Sequence, residues 1–590
     1  MLKPRGLLRL PIEGLDFDPP LQRSTGEMNT RLFTCLLILG CGLASNTAIC
    51  QELAYDLVLR GGMIVDGTGN PWHRGDVAIV GDRIAAVGRI LPGKAQREID
   101  ATGLVIAPGF IDIHSHSDYL LLEDGQALSK LTQGVTTEVL GEGSSPGPFR
   151  GALTTGESAG QGARFATLAG YFDALEQTGT AVNVASYVGL DNLWRSVMGT
   201  SFERPTAAQF TEMKSLLDQA LQEGAFGLSS MLAMPPGSLA TTDDIVELCK
   251  VVRARGGIFS THNRNEGTEV VAAIQEAISV GERAGVPVDI IHLKIADQSL
   301  WGRMHELVAL INDARARGVD VQANVYPYTR GNNNLSSIIP PWAHEGGTDQ
   351  LLKRLQNPEH RTRLKQEIQA GLPGWYNHYT AVGGDWSRML ISGKGPYEGL
   401  TMDRVLALRT APAKPAVDPL DHLFDILIEN SGSVPTVYAH HTEEDMNLAL
   451  QQPWCSVGSD GSAYATTGPL RRGNPHPRNF GTFPRVLGVY VRERQVLRLE
   501  DAIRKMTWLN AAKLGLVDRG ILRPGAFADV TLFSQQNVID KSTYEDPFHY
   551  SQGIEWVIVN GQIVLAHGKP TGVKSGKAVR RSVEPRATAG

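Results

Sequence analysis

The side chains in this chain best suited to chemistry are four histidines and one aspartate that recur in one kind of setting. His114 and His116 form an H-x-H pair at the end of the apolar run GLVIAPGFIDI. His262 follows GGIFST, His292 follows VPVDII, and Asp460 sits in SVGSDG. Imidazole and carboxylate are the groups that ligate metals and move protons near neutral pH. Alternate residues of a strand point the same way, so both imidazoles of the pair face one pocket. A lone H-x-H carries little weight. Four histidines and an aspartate, each where an apolar run ends, are hard to explain as independent surface residues.

The elements that position them alternate. From about residue 109 to 516, short apolar runs such as GVTTEVLG, NVASYVGL, GAFGLSS, GVDVQANVYPY and WCSVGSDG are separated by amphipathic stretches such as TEVVAAIQEAISVGERAG. Repeated strand–helix units at this length predict an α/β fold, a (β/α)8 TIM barrel, whose chemistry gathers at the C-terminal strand ends. Both flanks read differently. Residues 53–108 and 517–575 carry short Val/Ile/Leu runs between Gly and Asp turn signals, which predicts a small β-sandwich domain assembled from both ends of the chain. Residues of about 332–419, rich in Pro, Gly and Trp, interrupt the rhythm and read as an insertion on the active-site side. The tail from 576 to 590 reads as loose.

With 590 residues, 42% hydrophobic and 20% charged residues, the composition is that of a globular enzyme. A formal net charge of -6 gives no basic footprint for nucleic acid. Residues 1–27 show no periodicity. Met28 opens MNTRLFTCLLILGCGLASNTAIC, one positive residue before an apolar run and then small residues. This is the layout of a signal peptide over residues 28–50, and it is too short for a stable transmembrane span. Export to the periplasm or the outside follows as an expectation, with a lipid anchor on Cys41 a weaker match. The competing reading is a short buried apolar segment. Three of the five cysteines lie here, leaving Cys249 and Cys455, so the mature chain is no disulfide scaffold.

PGFIDIHSHSD, THNRNEG, IIHLK and SVGSDG resemble the amidohydrolase superfamily. QGVTTEVLGEGSS, ANVYPYTRG, HPRNFGTFPRVLG and RPGAFADVTLF are similar to its D-aminoacylase branch, the N-acyl-D-amino-acid deacylases. The resemblance covers about residues 53 to 575, and the 30-residue spacing of His262 and His292, on strands five and six, agrees with it. It implies zinc, one ion or two: His114 and His116 for one position, His262 and His292 for the other, and an anion from strand four between them. Relatives place a Cys or a carboxylated Lys there. This chain reads Leu140-Gly141-Glu142-Gly143, which makes Glu142 the candidate bridge, with Glu138 the competing carboxylate. The resemblance makes Asp460 both a metal-side ligand and the general base and acid. It gives Lys294, Tyr326 and Arg478 to the substrate carboxylate, with Asn332 where the family has Ser. Asp191 stands where relatives often carry His.

The activity implied is hydrolysis of the amide of an N-acyl-D-amino acid, a small-molecule substrate, with homo-oligomerisation left open. The alternatives are a cyclic amidase of the hydantoinase or dihydroorotase kind or a metallo-dipeptidase, which typically use the carboxylated Lys, and a non-catalytic scaffold, which would usually have lost ligands. No G-x-S-x-G nucleophile elbow competes. His440 and His441 are expected near strand seven in a supporting role, and Cys455 as a buried small hydrophobe.

Overall fold

The structure, a computed structural model, describes residues 54–154, 165–410 and 417–581. The expected signal peptide and N-terminal extension lie outside the described residues. Strands β1 (Tyr55–Ile64), β2 (His73–Val80), β3 (Arg83–Gly88), β4 (Ala95–Asp100) and β5 (Val105–Pro108) open the chain. The barrel strands follow: β6 (Phe110–Asp112), β7 (Val135–Leu140), β8 (Asn183–Ser186) with its continuation β9 (Val188–Gly189), β10 (Gly227–Met231), β11 (Ile258–His262), β12 (Val288–Ile290) and β13 (Val321–Val325). Then come β14 (Gly331–Asn334), β15 (Met389–Ile391) and β16 (Pro435–Tyr438), the eighth barrel strand β17 (Cys455–Val457), and β18 (Val530–Phe533), β19 (Ile554–Val559), β20 (Gln562–Ala566) and β21 (Lys569–Pro570).

The barrel strands pair in parallel, β6-β7-β8 and β9-β10-β11-β12-β13-β17. The third strand breaks at Tyr187, so that β8 pairs back to β7 and β9 forward to β10. The ring closes where Ser115 bridges Gly461 in parallel and the Asp460 amide donates to the His114 carbonyl at 2.8 Å. The outer helices follow from local signals. The helix Val270–Ala284 buries Val270, Ala273, Ile274, Ala277, Ile278 and Gly281 on one stripe and stops at Gly285, φ 67°. Thr206 with Gln209 and Thr241 with Asp244 form capping boxes on two others. Among the described residues no helix is long and apolar enough to cross a membrane.

The β domain made from both ends is one hydrogen-bonded sheet of nine strands, ordered β21-β20-β19-β18-β5-β1-β2-β3 with β4 alongside β1. Its own core includes Leu57, Ile79, Ile106, Leu532, Trp556 and Ile558.

Two boundaries differ from expectation. The insertion after β13 does not stop near 419. It runs on to Tyr438, because β16 is the central strand of a separate three-stranded sheet, β14-β16-β15. That sheet has its own core of Leu335, Ile338, Leu355, Leu423, Phe424 and Tyr438. The tail is not loose at its start. The Gly576 amide donates to Thr180 O, Ala578 bridges Val184 in parallel, and the Arg581 amide donates to Gly224 O. The backbone groups of this stretch therefore find partners beside β8 despite its polar composition. Residues 582–590 lie outside the described residues.

Candidate metal centre and substrate cavity

His114 and His116 leave the end of β6, Glu142 follows β7, His262 ends β11, His292 follows β12 and Asp460 follows β17. All six reach one end of the barrel. His114 Nε2 lies 2.5 Å and His116 Nε2 3.0 Å from Glu142 Oε2, and His116 Nε2 lies 3.1 Å from Asp460 Oδ1. His292 Nε2 is 3.9 Å from Glu142 Oε1 and 3.8 Å from Asp460 Oδ2. The ligand atoms fall into two groups, each within 4.8 Å: His114, His116, Glu142 and Asp460, and Glu142, His262 and His292. Glu142 belongs to both, as a bridging carboxylate would. Imidazole nitrogens and carboxylate oxygens at this spacing are a donor set that zinc accepts.

The strand that supplies Glu142 corrects one expectation. β7 is the second barrel strand, not the fourth, because the short connection after β6 is enough to bring 135–140 beside it. The fourth strand, β10, ends at Met231, against which Gly143 is pressed: a Cβ there would come within 2.6 Å of Met231 Cβ. Asp191 likewise follows the third strand, in the first turn of the helix Leu190–Met198. Glu138 is fully buried beneath the site, accepting from Ser115 Oγ and Ser117 Oγ, and is not in the ligand cluster.

Two buried lysines hold the ligand-bearing loops. Lys130 Nζ donates to Asp112 Oδ2 at 2.8 Å, Ser115 Oγ at 3.1 Å, Ser459 Oγ at 3.0 Å and Gly461 O at 3.0 Å, tying the H-x-H strand to the Asp460 loop. Lys513 Nζ donates to Asp289 Oδ1 at 2.5 Å. Asp289 takes a bond from Asn324 Nδ2, and Asn324 Oδ1 accepts the His292 amide at 3.0 Å. The need for such support is visible in the backbone. His292 (φ 38°) and Asp460 (φ 52°) are both left-handed, a costly conformation for residues other than glycine unless the surroundings impose it.

Charge is arranged to suit these roles. Burial would raise Glu142, but His114 and His116 hold its carboxyl well below the usual range. Burial also opposes the charge on Asp460, and the Arg478 guanidinium and His114 outweigh it, so Asp460 is an anion. Burial, then the Lys294 ammonium, push His292 down to about 4, leaving the neutral imidazole that a metal requires.

The cluster opens into a cavity of about 560 Å³ between the barrel and the insertion. Arg478 lines it, with Nη1 2.7 Å from Asp460 Oδ2 and its guanidinium 4.8 Å from the Tyr326 ring centroid. His476 Nδ1 accepts the Arg478 amide at 3.0 Å. Asn332 lines the cavity too, its Oδ1 accepting from Ser392 Oγ at 3.0 Å. Lys294 is placed differently from expectation. It is held behind the ligand cluster, Nζ 2.6 Å from Glu266 Oε1 and 2.7 Å from His292 Nδ1, and it is not on the cavity wall.

Glu266 is the residue that sequence reasoning missed. Its Oε1 lies 3.1 Å from His292 Nδ1, and Lys294, His262 and His292 overcome burial to keep it ionised. Its position four residues after His262, in THNRNEG, was the available signal. An outer carboxylate that orients a ligating imidazole typically affects metal affinity or activity by about 10–100-fold. Glu266→Gln is expected to lower zinc affinity or kcat/KM by that amount, read by chelator competition and initial rates. Glu142→Ala is expected to weaken zinc binding more than Glu266→Gln does, because it removes an atom from both ligand groups.

The histidines set aside stay structural: His441 Nε2 donates to Tyr328 O at 2.7 Å and His440 Nδ1 lies 2.9 Å from His441 Nδ1. Cys455 is buried, its thiol pushed up to about 11 by burial, as suits a small hydrophobe.

Comparison with known proteins agrees with this geometry. Residues 377–565 match the family model described as "Amidohydrolase family". The D-aminoacylase of Alcaligenes xylosoxydans xylosoxydans is 35% identical over 538 residues, 90% of this chain and 98% of that one. The N-acyl-D-glutamate deacylase of the same organism is 35% identical over 530 residues, 89% of this chain and 96% of its own length. The crystal structure of N-acyl-D-glutamate deacylase from Bordetella bronchiseptica, complexed with zinc and a phosphonate inhibitor, superposes with a TM-score of 0.73. It is 31% identical and covers 89% of this chain and 99% of its own. On sequence, fold and the placing of its histidine, glutamate and aspartate side chains, the chain belongs to the D-aminoacylase branch of the amidohydrolases.

Proposed function

We propose that this chain is a zinc-dependent deacylase that cleaves the amide of N-acyl-D-amino acids, releasing a carboxylate and the free D-amino acid. The observation that carries the reading is the meeting, in one cavity, of a two-part imidazole–carboxylate cluster with an arginine 2.7 Å from Asp460. Zinc, as one ion or two, would be held by His114, His116, Glu142, His262, His292 and Asp460, and would supply polarisation of the scissile carbonyl and a water acidic enough to attack near neutral pH. The chain does the rest. Glu142 brings negative charge to both ligand groups. Asp460, an anion beside His116, takes a proton from the attacking water and returns it to the departing nitrogen, which leaves poorly unless protonated. Arg478 offers a guanidinium fork to the substrate carboxylate, with Tyr326 beneath it. Asn332 lines the same cavity, and Lys294 acts through Glu266 and His292.

D-selectivity comes to this proposal from the relatives, whose names specify D-substrates. The test is release of amino acid from matched N-acetyl-D- and N-acetyl-L-amino acids by zinc-loaded full-length protein. Turnover confined to the D-series supports the reading, and none on the D-series with zinc bound overturns it. Arg478→Lys keeps the charge but loses the fork. It is expected to raise KM for these substrates roughly 10–150-fold, the value of one charge-assisted contact of about 1.5–3 kcal/mol. We further propose export directed by residues 28–50, checked by N-terminal sequencing of the mature protein.

A further inference from the structure

Arg478 and Asp191 meet the ligand cluster at different members: Arg478 Nη1 lies 2.7 Å from Asp460 Oδ2, and the Asp191 amide donates to the carbonyl of Gly143, next to Glu142, at 2.9 Å. Arg478 follows the eighth strand and Asp191 the third, three strands round the ring, and both line the same space. With the substrate carboxylate at Arg478 and the scissile amide over the ligand cluster, the wall beside Glu142 that is open to the acyl group is made by Gly143, Ser144, Met231 and Asp191. This wall is tight. Gly143 is pressed on Met231, and Asn192 pins the loop beside it, its Oδ1 accepting the Ser145 amide at 2.8 Å and its Nδ2 donating to Ser145 O and Pro148 O.

Asp191 is an anomaly in it. The residue is only 7% exposed, yet its Oδ1 accepts no hydrogen bond. Its place in the first turn of a helix does not account for it, because the side chain caps no backbone amide. Arg195, one turn along, is exposed and forms no ion pair with it. Neither metal-capable group includes it. A buried carboxyl left without a donor is costly unless a ligand supplies one. Burial pushes it up to about 7, with the Arg195 guanidinium pulling the other way and the Glu142 carboxylate adding to the rise, and a cation held in the cavity would relieve that penalty.

We propose that Asp191 receives a protonated amine on the acyl half of the substrate, so that the preferred substrates are dipeptides with a free N-terminus, a small N-terminal residue and a D-residue at the C-terminus. This rests on the deacylase reading and narrows its acyl group to α-aminoacyl.

The test uses a matched pair on one D-amino acid: glycyl, which carries an ammonium, and propionyl, the same shape with a methyl in its place. Zinc-loaded protein is expected to favour glycyl by about tenfold or more in kcat/KM, as a site built for one donor discriminates against its isostere. In Asp191→Asn that ratio should fall to near one. A purely structural role would lower both rates and leave the ratio standing. Equal or better turnover of propionyl by the unaltered protein, or a ratio that survives Asp191→Asn, overturns the aminoacyl assignment and leaves the deacylase reading in place. No turnover of either compound overturns both.

Discussion

Asp460→Asn lowers kcat by about 10²–10⁴-fold, the usual worth of a positioned proton-transfer group, while the protein still binds zinc. The two halves of this result come from different atoms. Oδ1 faces His116 at 3.1 Å and Oδ2 faces Arg478 at 2.7 Å, so the carboxylate stands between the ligand cluster and the substrate's anionic end. Exchanging one oxygen for NH2 removes the charge that collects the proton. His114, His116 and Glu142 still converge on one group and His262, His292 and Glu142 on the other. Stopped-time assays at saturating substrate, with zinc content measured on the same sample, check both halves. A variant within about tenfold of the parent rate would show that the proton goes elsewhere.

Lys130→Met is expected to be the most damaging change outside the site itself. The ammonium is fully buried and faces Asp112 at 2.8 Å and Glu138 at 3.4 Å, both also fully buried. Taking away the cation leaves two carboxylates in the interior with hydroxyl and amide partners alone. Breaking a buried pair in this way costs about 3–5 kcal/mol. The Asp460 loop should loosen as well, since Ser459 Oγ and Gly461 O lose their common donor. A clear fall in the thermal unfolding midpoint, together with weaker zinc retention under chelator, is the expected outcome. Glu138→Gln, which keeps the shape and the lysine, should cost much less. An unchanged midpoint in Lys130→Met would mean that the clamp is dispensable.

The parts of this molecule legible in the sequence are those where one short stretch carries both the element and its purpose. The run GLVIAPGFID followed by H-x-H names a strand and what it delivers, and IIH and SVGSDG do the same for β12 and β17. What depends on pairing partners was harder to read. Glu142 was identified by its neighbours in LGEGSS, yet its strand was misnumbered, because only the register of β6 with β7 reveals how short the connection is. PTVY has the composition of a barrel strand and belongs instead to the insertion's sheet. The resemblance puts Lys294 at the substrate carboxylate, and strand alternation two residues after His292 would point it to the same wall. The left-handed turn at His292 breaks the alternation and delivers it to Glu266. The polar stretch from 576 to 581 gains its order from β8 and the neighbouring loops, which no local pattern announces.

The two-ended β domain sets an order of events during synthesis. β5 pairs on one side with β1, its near neighbour in the chain, and on the other with β18, roughly 400 residues later. At ribosomal speeds of about 5–20 residues per second, that edge waits tens of seconds for its partner. The barrel strands and the insertion emerge in the interval, while the first five strands present an unpaired margin of the kind that recruits other chains. The nascent protein therefore carries its aggregation hazard at the front and its remedy at the back. A chain cut off after the barrel, near residue 516, would keep every residue of the ligand cluster and still be expected to precipitate.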